Sequence, residues 1–131
     1  MKKQTIEKKD IKNYWENKSP QTWYSDKDQD NNSTSWFNEL AYKRYNVYYE
    51  YLKDVAEFNY HKEEKVLEVG TGVGTDIVSY AKNGSKVSGV DLTENAIEIT
   101  KKHLEIFKLP YEKLLVADAE NLPFEDNYFD L

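Results

Sequence analysis

At 131 residues the chain has room for one small domain with a modest core. Its net charge of -6 denies it the basic footprint on which nonspecific nucleic-acid binding depends. No cysteine is present, which removes disulfides and thiolate metal sites and fits a reducing, cytoplasmic setting; His61 and His103 are too isolated to suggest a metal centre and read as surface residues.

Residues 1–17 alternate lysines and acids around sparse apolar positions, Ile6, Ile11, Tyr14 and Trp15. The pattern predicts a short amphipathic helix whose lysines form a solvated face. No apolar segment follows these lysines, and no run approaches the roughly 18 residues of a membrane span. Residues 18–35 are polar and turn-rich and read as a flexible loop, with Trp23 and Tyr24 as an aromatic pair suited to docking. One long helix is expected from about Ser35 to Phe58, with Ser33, Thr34 or Ser35 as N-cap. Its apolar stripe runs through Trp36, Leu40, Val47, Tyr51, Val55 and Phe58, widened by Phe37, Ala41, Tyr48 and Leu52.

From Glu64 onward strand and helix patterns alternate, the signature of an α/β fold with a parallel sheet and crossover helices. Strands are expected at Lys65–Val69, Lys86–Val90 and Lys113–Ala117, and Tyr128–Leu131 reads as the start of a fourth. Helices are expected at Thr75–Lys82, closed by Asn83-Gly84, and at about Glu94–Lys108, stopped by Leu109-Pro110. The second helix keeps Ala96, Ile97, Thr100, Leu104 and Phe107 on one face.

The chemistry concentrates where the first strand ends. Gly70, Gly72 and Gly74 stand at alternate positions between that strand and a helix start, a place where a ligand can approach backbone N–H groups closely. Each strand ends in an acid: Glu68, Asp91 and Asp118. Ligands of open α/β sheets bind outside the carboxyl ends of the strands, so the three carboxylates are expected to converge on one crevice. Asp91 lies about 20 residues beyond Gly70, the spacing at which a carboxylate meets ribose hydroxyls, and Leu92 follows it as a surface for a base. The other reading of Asp91 is a loop aspartate capping the next helix.

Val66-Leu67-Glu68-Val69-Gly70-Thr71-Gly72-Val73-Gly74 resembles motif I of the class I S-adenosylmethionine-dependent methyltransferases, an acid followed after one residue by Gly-x-Gly-x-Gly. Asp118-Ala119-Glu120-Asn121-Leu122-Pro123-Phe124 resembles the family's segment after strand three. The resemblance runs through residues 62–131. It implies a Rossmann-like sheet and a cofactor site made of Glu68, Gly70, Thr71, Gly72, Gly74, Asp91, Leu92, Asp118 and Ala119. In that site Glu68 counters the methionyl ammonium, directly or through water. Asp91 holds the ribose, Asp118 accepts the adenine amine, and the Ala119 N–H meets a ring nitrogen. The alternative of an NAD-dependent oxidoreductase wants a third glycine at position 75, where Thr75 stands. A non-catalytic nucleotide-binding or interaction module is the third reading.

The resemblance also implies two parts: residues 1–60 as an N-terminal helical cap, and residues 61–131 as the first half of the cofactor domain. The family's sheet order is 3-2-1-4-5-7-6. The chain is therefore expected to be a truncated, cofactor-binding portion of a longer enzyme, inactive and prone to self-association when alone. The expected partner is a small-molecule methyl acceptor, with no nucleic acid, membrane or metal. No residue is identified as a general base, and the catalytic residues are unknown.

Overall fold

The computed structural model describes residues 6–18 and 33–131, so Trp23 and Tyr24 lie outside the described residues. Among these, β1 (Lys65–Val69), β2 (Lys86–Asp91) and β3 (Lys113–Val116) pair in parallel in the spatial order β1-β2-β3. Leu67 lies beside Ser88, Glu68 beside Gly89 and Val69 beside Val90. Helices α4 (Thr75–Lys82) and α5 (Glu94–Ile106) make the two crossovers. A sheet that grows one strand at a time through right-handed crossovers places both helices on one face, and α4 and α5 do pack on each other and on β2. Val66, Val87, Ile77, Val78, Ala81 and Leu104 form the core between them, each large aliphatic side chain contributing about 1.5–3 kcal/mol by leaving water.

Gly89 allows the helices to close down on the sheet. A methyl group there would stand 2.6 Å from Thr71 Cγ2 and 3.0 Å from Ile77 Cδ1. On the edge of β1 away from β2, Asp130 N–H donates to the Lys65 carbonyl at 2.8 Å and Leu67 N–H donates to the Leu131 carbonyl at 2.9 Å. Residues 128–131 thus begin to ladder onto β1 where a fourth strand is expected, over too short a length to form a strand.

The single helix expected over 35–58 is not one helix. It is divided into α2 (Thr34–Lys43), a wider π-type turn (Arg44–Tyr48) and α3 (Leu52–Ala56). Ser33 is the N-cap, its Oγ accepting the Trp36 N–H at 3.2 Å. Trp36, Phe37 and Leu40 are buried against Val73 and Ile99 as a second core. Beyond Lys43 the widened turn shifts the register, and the expected stripe dissolves. Val47, Tyr51 and Val55 are exposed while Tyr45 is buried. The polar start of α4 accounts for the change of face. The Tyr45 hydroxyl donates to Asp76 Oδ1 at 2.6 Å, and Arg44 grips both oxygens of the same carboxylate, with Nε at 2.8 Å. A half-buried, bidentate, charge-assisted cluster of this kind offsets the apolar surface left in water.

Neither histidine is a simple surface residue. His61 is half-buried with Nδ1 2.7 Å from Glu64 Oε2. His103 is buried; its ring stacks on Phe37 at 3.8 Å and Nδ1–H donates to the Val73 carbonyl at 2.8 Å. The buried face of α5 therefore reads Ala96, Ile99, Thr100, His103 and Leu104, a helical stripe that skips the expected Ile97.

Candidate functional site

A cavity of about 390 Å³ opens at the carboxyl ends of the three strands. Val69 and Val90, paired neighbours on the sheet face away from α4, form its apolar floor. Gly70 and Gly72 supply one wall, Asp91 and Leu92 a second, and Ala117, Asp118 and Ala119 a third. The size suits a nucleoside-like ligand.

The glycine turn folds over the end of β2, with Gly70 N–H donating to the Val90 carbonyl at 2.8 Å. Gly74 ends the turn in the left-handed region, φ 78°, as N-cap of α4. Having no side chain, it cannot cap the helix. Glu68 does so instead, its Oε2 accepting the Ile77 N–H at 2.8 Å. Side chains alternate along a strand, so Glu68 shares the helix-facing side with Val66, whereas Val69 faces the cavity. Burial, with the Asp76 charge adding to it, pushes the Glu68 carboxyl well above the ordinary carboxylate range.

α5 holds the turn from beneath. Thr100 Oγ1 lies 3.0 Å from Thr71 Oγ1 and 3.2 Å from the Gly72 carbonyl, and His103 bonds the next carbonyl, Val73. A side chain at Gly74 would stand 3.0 Å from Thr100 Cγ2. Thr71 and Gly74 therefore support the turn and do not line the cavity.

Asp91 is the central polar group. Its Oδ2 accepts the Gly72 N–H at 3.0 Å, and its Oδ1 accepts both the N–H and the hydroxyl of Thr93 at 3.0 Å. Thr93 in turn caps α5 by accepting the Ala96 N–H, so the helix-cap role belongs to Thr93 and not to Asp91. A carboxylate has about four acceptor positions, and three are used here. Asp118 accepts the Glu120 N–H at 3.0 Å on Oδ1, and Lys8 Nζ lies 2.5 Å from Oδ2. The Lys8 ammonium holds the Asp118 carboxyl below its usual range. Lys8 also pairs with Glu120, a specific role for one of the lysines expected to form a solvated face.

The structure thus brings Gly70, Gly72, Asp91, Leu92, Asp118 and Ala119 together around one cavity. The convergence of three acids is reduced to two. Glu68 borders a separate cavity of about 220 Å³ with Phe58, Asp76 and Tyr80. The sequence did not point to Ile11 and Trp15, which line the cavity at the strand ends from α1 (Lys8–Asn17). Their i, i+4 spacing on an otherwise polar helix was the available signal. Among the described residues no cluster of histidines and acids could hold a metal ion, and no helix is long and apolar enough to cross a membrane. An apolar slot with two carboxylates at its lip can accept a planar base and the hydroxyl and amine donors of a nucleoside.

Residues 66–131 match the profile of a family described as a methyltransferase domain. A demethylmenaquinone methyltransferase of Staphylococcus epidermidis is 35% identical over 71% of this chain and 38% of its own length. A tRNA (uracil(54)-C(5))-methyltransferase of Pyrococcus abyssi is 30% identical over 85% of this chain and 26% of its own length. Among solved structures, a SAM-dependent methyltransferase from Aquifex aeolicus superposes with a TM-score of 0.58 at 26% identity, covering 73% of this chain and 53% of that one. The chain spans only a quarter to two-fifths of the length of such curated relatives.

Proposed function

The chain belongs to the methyltransferase domain family, a class I fold whose cofactor is S-adenosylmethionine, and we propose that it serves transfer of a methyl group to a small-molecule acceptor. The observation that carries this reading is the cavity at the carboxyl ends of the strands, with Gly70 and Gly72 on one side and two carboxylates at its lip. The cofactor, when bound, supplies a methyl group on a positively charged sulfur, which an acceptor takes by in-line displacement.

The chain's own contribution is binding and orientation. Asp91 has an acceptor position left for one ribose hydroxyl, and the Asp118 carboxylate has two positions left for an amine. Leu92 offers an apolar face to a base, and Ala119 offers backbone. Glu68, Thr71 and Gly74 act on a ligand through the turn they hold. The division into a cap over residues 1–60 and a cofactor domain over 61–131 belongs to the same proposal, supported by the α1 side chains at the cavity. The net charge of -6 favours a small acceptor. The tRNA-modifying relative makes RNA the competing class.

Calorimetric titration with S-adenosylhomocysteine and, separately, with NADH tests the cofactor site. Binding of the first alone is expected, and Asp91→Ala should weaken it by about 1.5–3 kcal/mol, the range for a hydrogen bond to a charged group. Binding of NADH alone would overturn the reading. Methyl transfer by the enzyme to a panel of quinol-like, other small-molecule and transcript RNA acceptors decides the acceptor class.

A further inference from the structure

Helix α1 is tied down at both ends. Near its start Lys8 bridges Asp118 and Glu120. Near its end Glu16 Oε1 accepts the Asn95 N–H at 3.3 Å, in the first turn of α5. These two anchors span the cavity mouth, one on the loop after β3 and one on the helix after β2. Between them Ile11 and Trp15, one turn apart, line the cavity together with Val69, Val90 and Leu92. Ile11 is 41% and Trp15 44% exposed, so a ligand entering the slot would remove a large apolar area from water.

The slot has apolar side chains from the helix and from the sheet, and its acidic groups lie at the edge. That arrangement fits a flat heteroaromatic ring bearing an amine. We propose that Trp15 is a cofactor-binding residue whose indole covers the nucleobase, with Ile11 beside it, and that Lys8 is the positioning residue that sets α1 over Asp118. The inference rests on the S-adenosylmethionine reading of the cavity. Lys8 does not exclude the base from Asp118. Each oxygen of that carboxylate has one partner and accepts two, and Glu120 gives the ammonium a second anchor.

The test is calorimetric titration of the protein and its variants with S-adenosylhomocysteine and with 5′-methylthioadenosine, which keeps the nucleoside and lacks the amino-acid arm. Trp15→Ala is expected to weaken both ligands by the same factor, about tenfold, the order of base–aromatic stacking. Trp15→Phe, which keeps a ring, should retain most of the affinity. Lys8→Met should weaken both ligands and Lys8→Arg should restore them. The side chain of Trp15 is on a half-exposed helix face, so circular dichroism should report an unchanged fold. Affinity of Trp15→Ala equal to that of the parent would overturn the proposal and leave the cofactor reading standing. Loss confined to S-adenosylhomocysteine would also overturn it, because the indole would then lie over the amino-acid arm. Failure of the parent protein to bind either ligand would overturn both.

Discussion

Replacing His103 by asparagine is expected to remove an acid-sensitive part of the stability. The imidazole is 2% exposed, stacked on Phe37 and bonded to the Val73 carbonyl. Burial disfavours its charged form most. The Val73 bond opposes that effect, the Lys82 ammonium adds to it, and the pKa falls from 6.5 to about 4. Below pH 6.5 the unfolded chain therefore binds a proton that the folded chain refuses. The contribution is present in full above about 6.5 and is lost as pH falls toward 4. At about 1.4 kcal/mol per pH unit the whole difference is about 3 kcal/mol, of which about 2 kcal/mol is lost by pH 5. Against a total stability of about 5–15 kcal/mol this is measurable by urea melts at pH 5, 6 and 7. The His103→Asn variant keeps a donor for Val73 and loses the ring stacking, so it should be less stable at pH 7 but lose about 2 kcal/mol less between pH 7 and pH 5. An equal pH dependence in the two proteins would show that His103 is not held neutral by burial.

The same melts test Glu68. Its folded pKa is raised, so stability should fall as pH climbs from the ordinary carboxyl value toward the raised one and level off above it. Glu68→Gln should remove that slope, and an unchanged slope would refute the burial argument. Gly89→Ala should lower stability by about 1–3 kcal/mol, because the methyl group meets Thr71 and Ile77 in a filled space. A thermal melt indistinguishable from the parent's would refute the close approach.

The α/β half was legible because its signals are local and agree: an apolar strand, a glycine turn, a helix start, then an acid after the next two strands. The same rules narrowed the cap to Ser33, Thr34 or Ser35, of which Ser33 is the one used, and placed the limits of α4. Three features depended on tertiary context. The direction of Glu68 follows from the two-residue alternation Val66, Glu68, yet reading it needed to know that both helices cover that face. The break after Lys43 had no apolar signal at all, since Arg44 and Tyr45 turn inward to meet a carboxylate 32 and 31 residues away. His103 misled for a related reason: its face is set by Phe37, a residue of another element.

The central claim is that one cavity, between the glycine turn and the acids after β2 and β3, holds the cofactor. Backbone amide NMR during titration with S-adenosylhomocysteine tests it most directly. The largest shifts are expected at Gly70, Gly72, Leu92, Asp118 and Ala119, with Tyr80 and Ala56 beside the separate cavity of Glu68 nearly unmoved. Shifts centred on Tyr80 and Asp76, or none at saturating ligand, would contradict it.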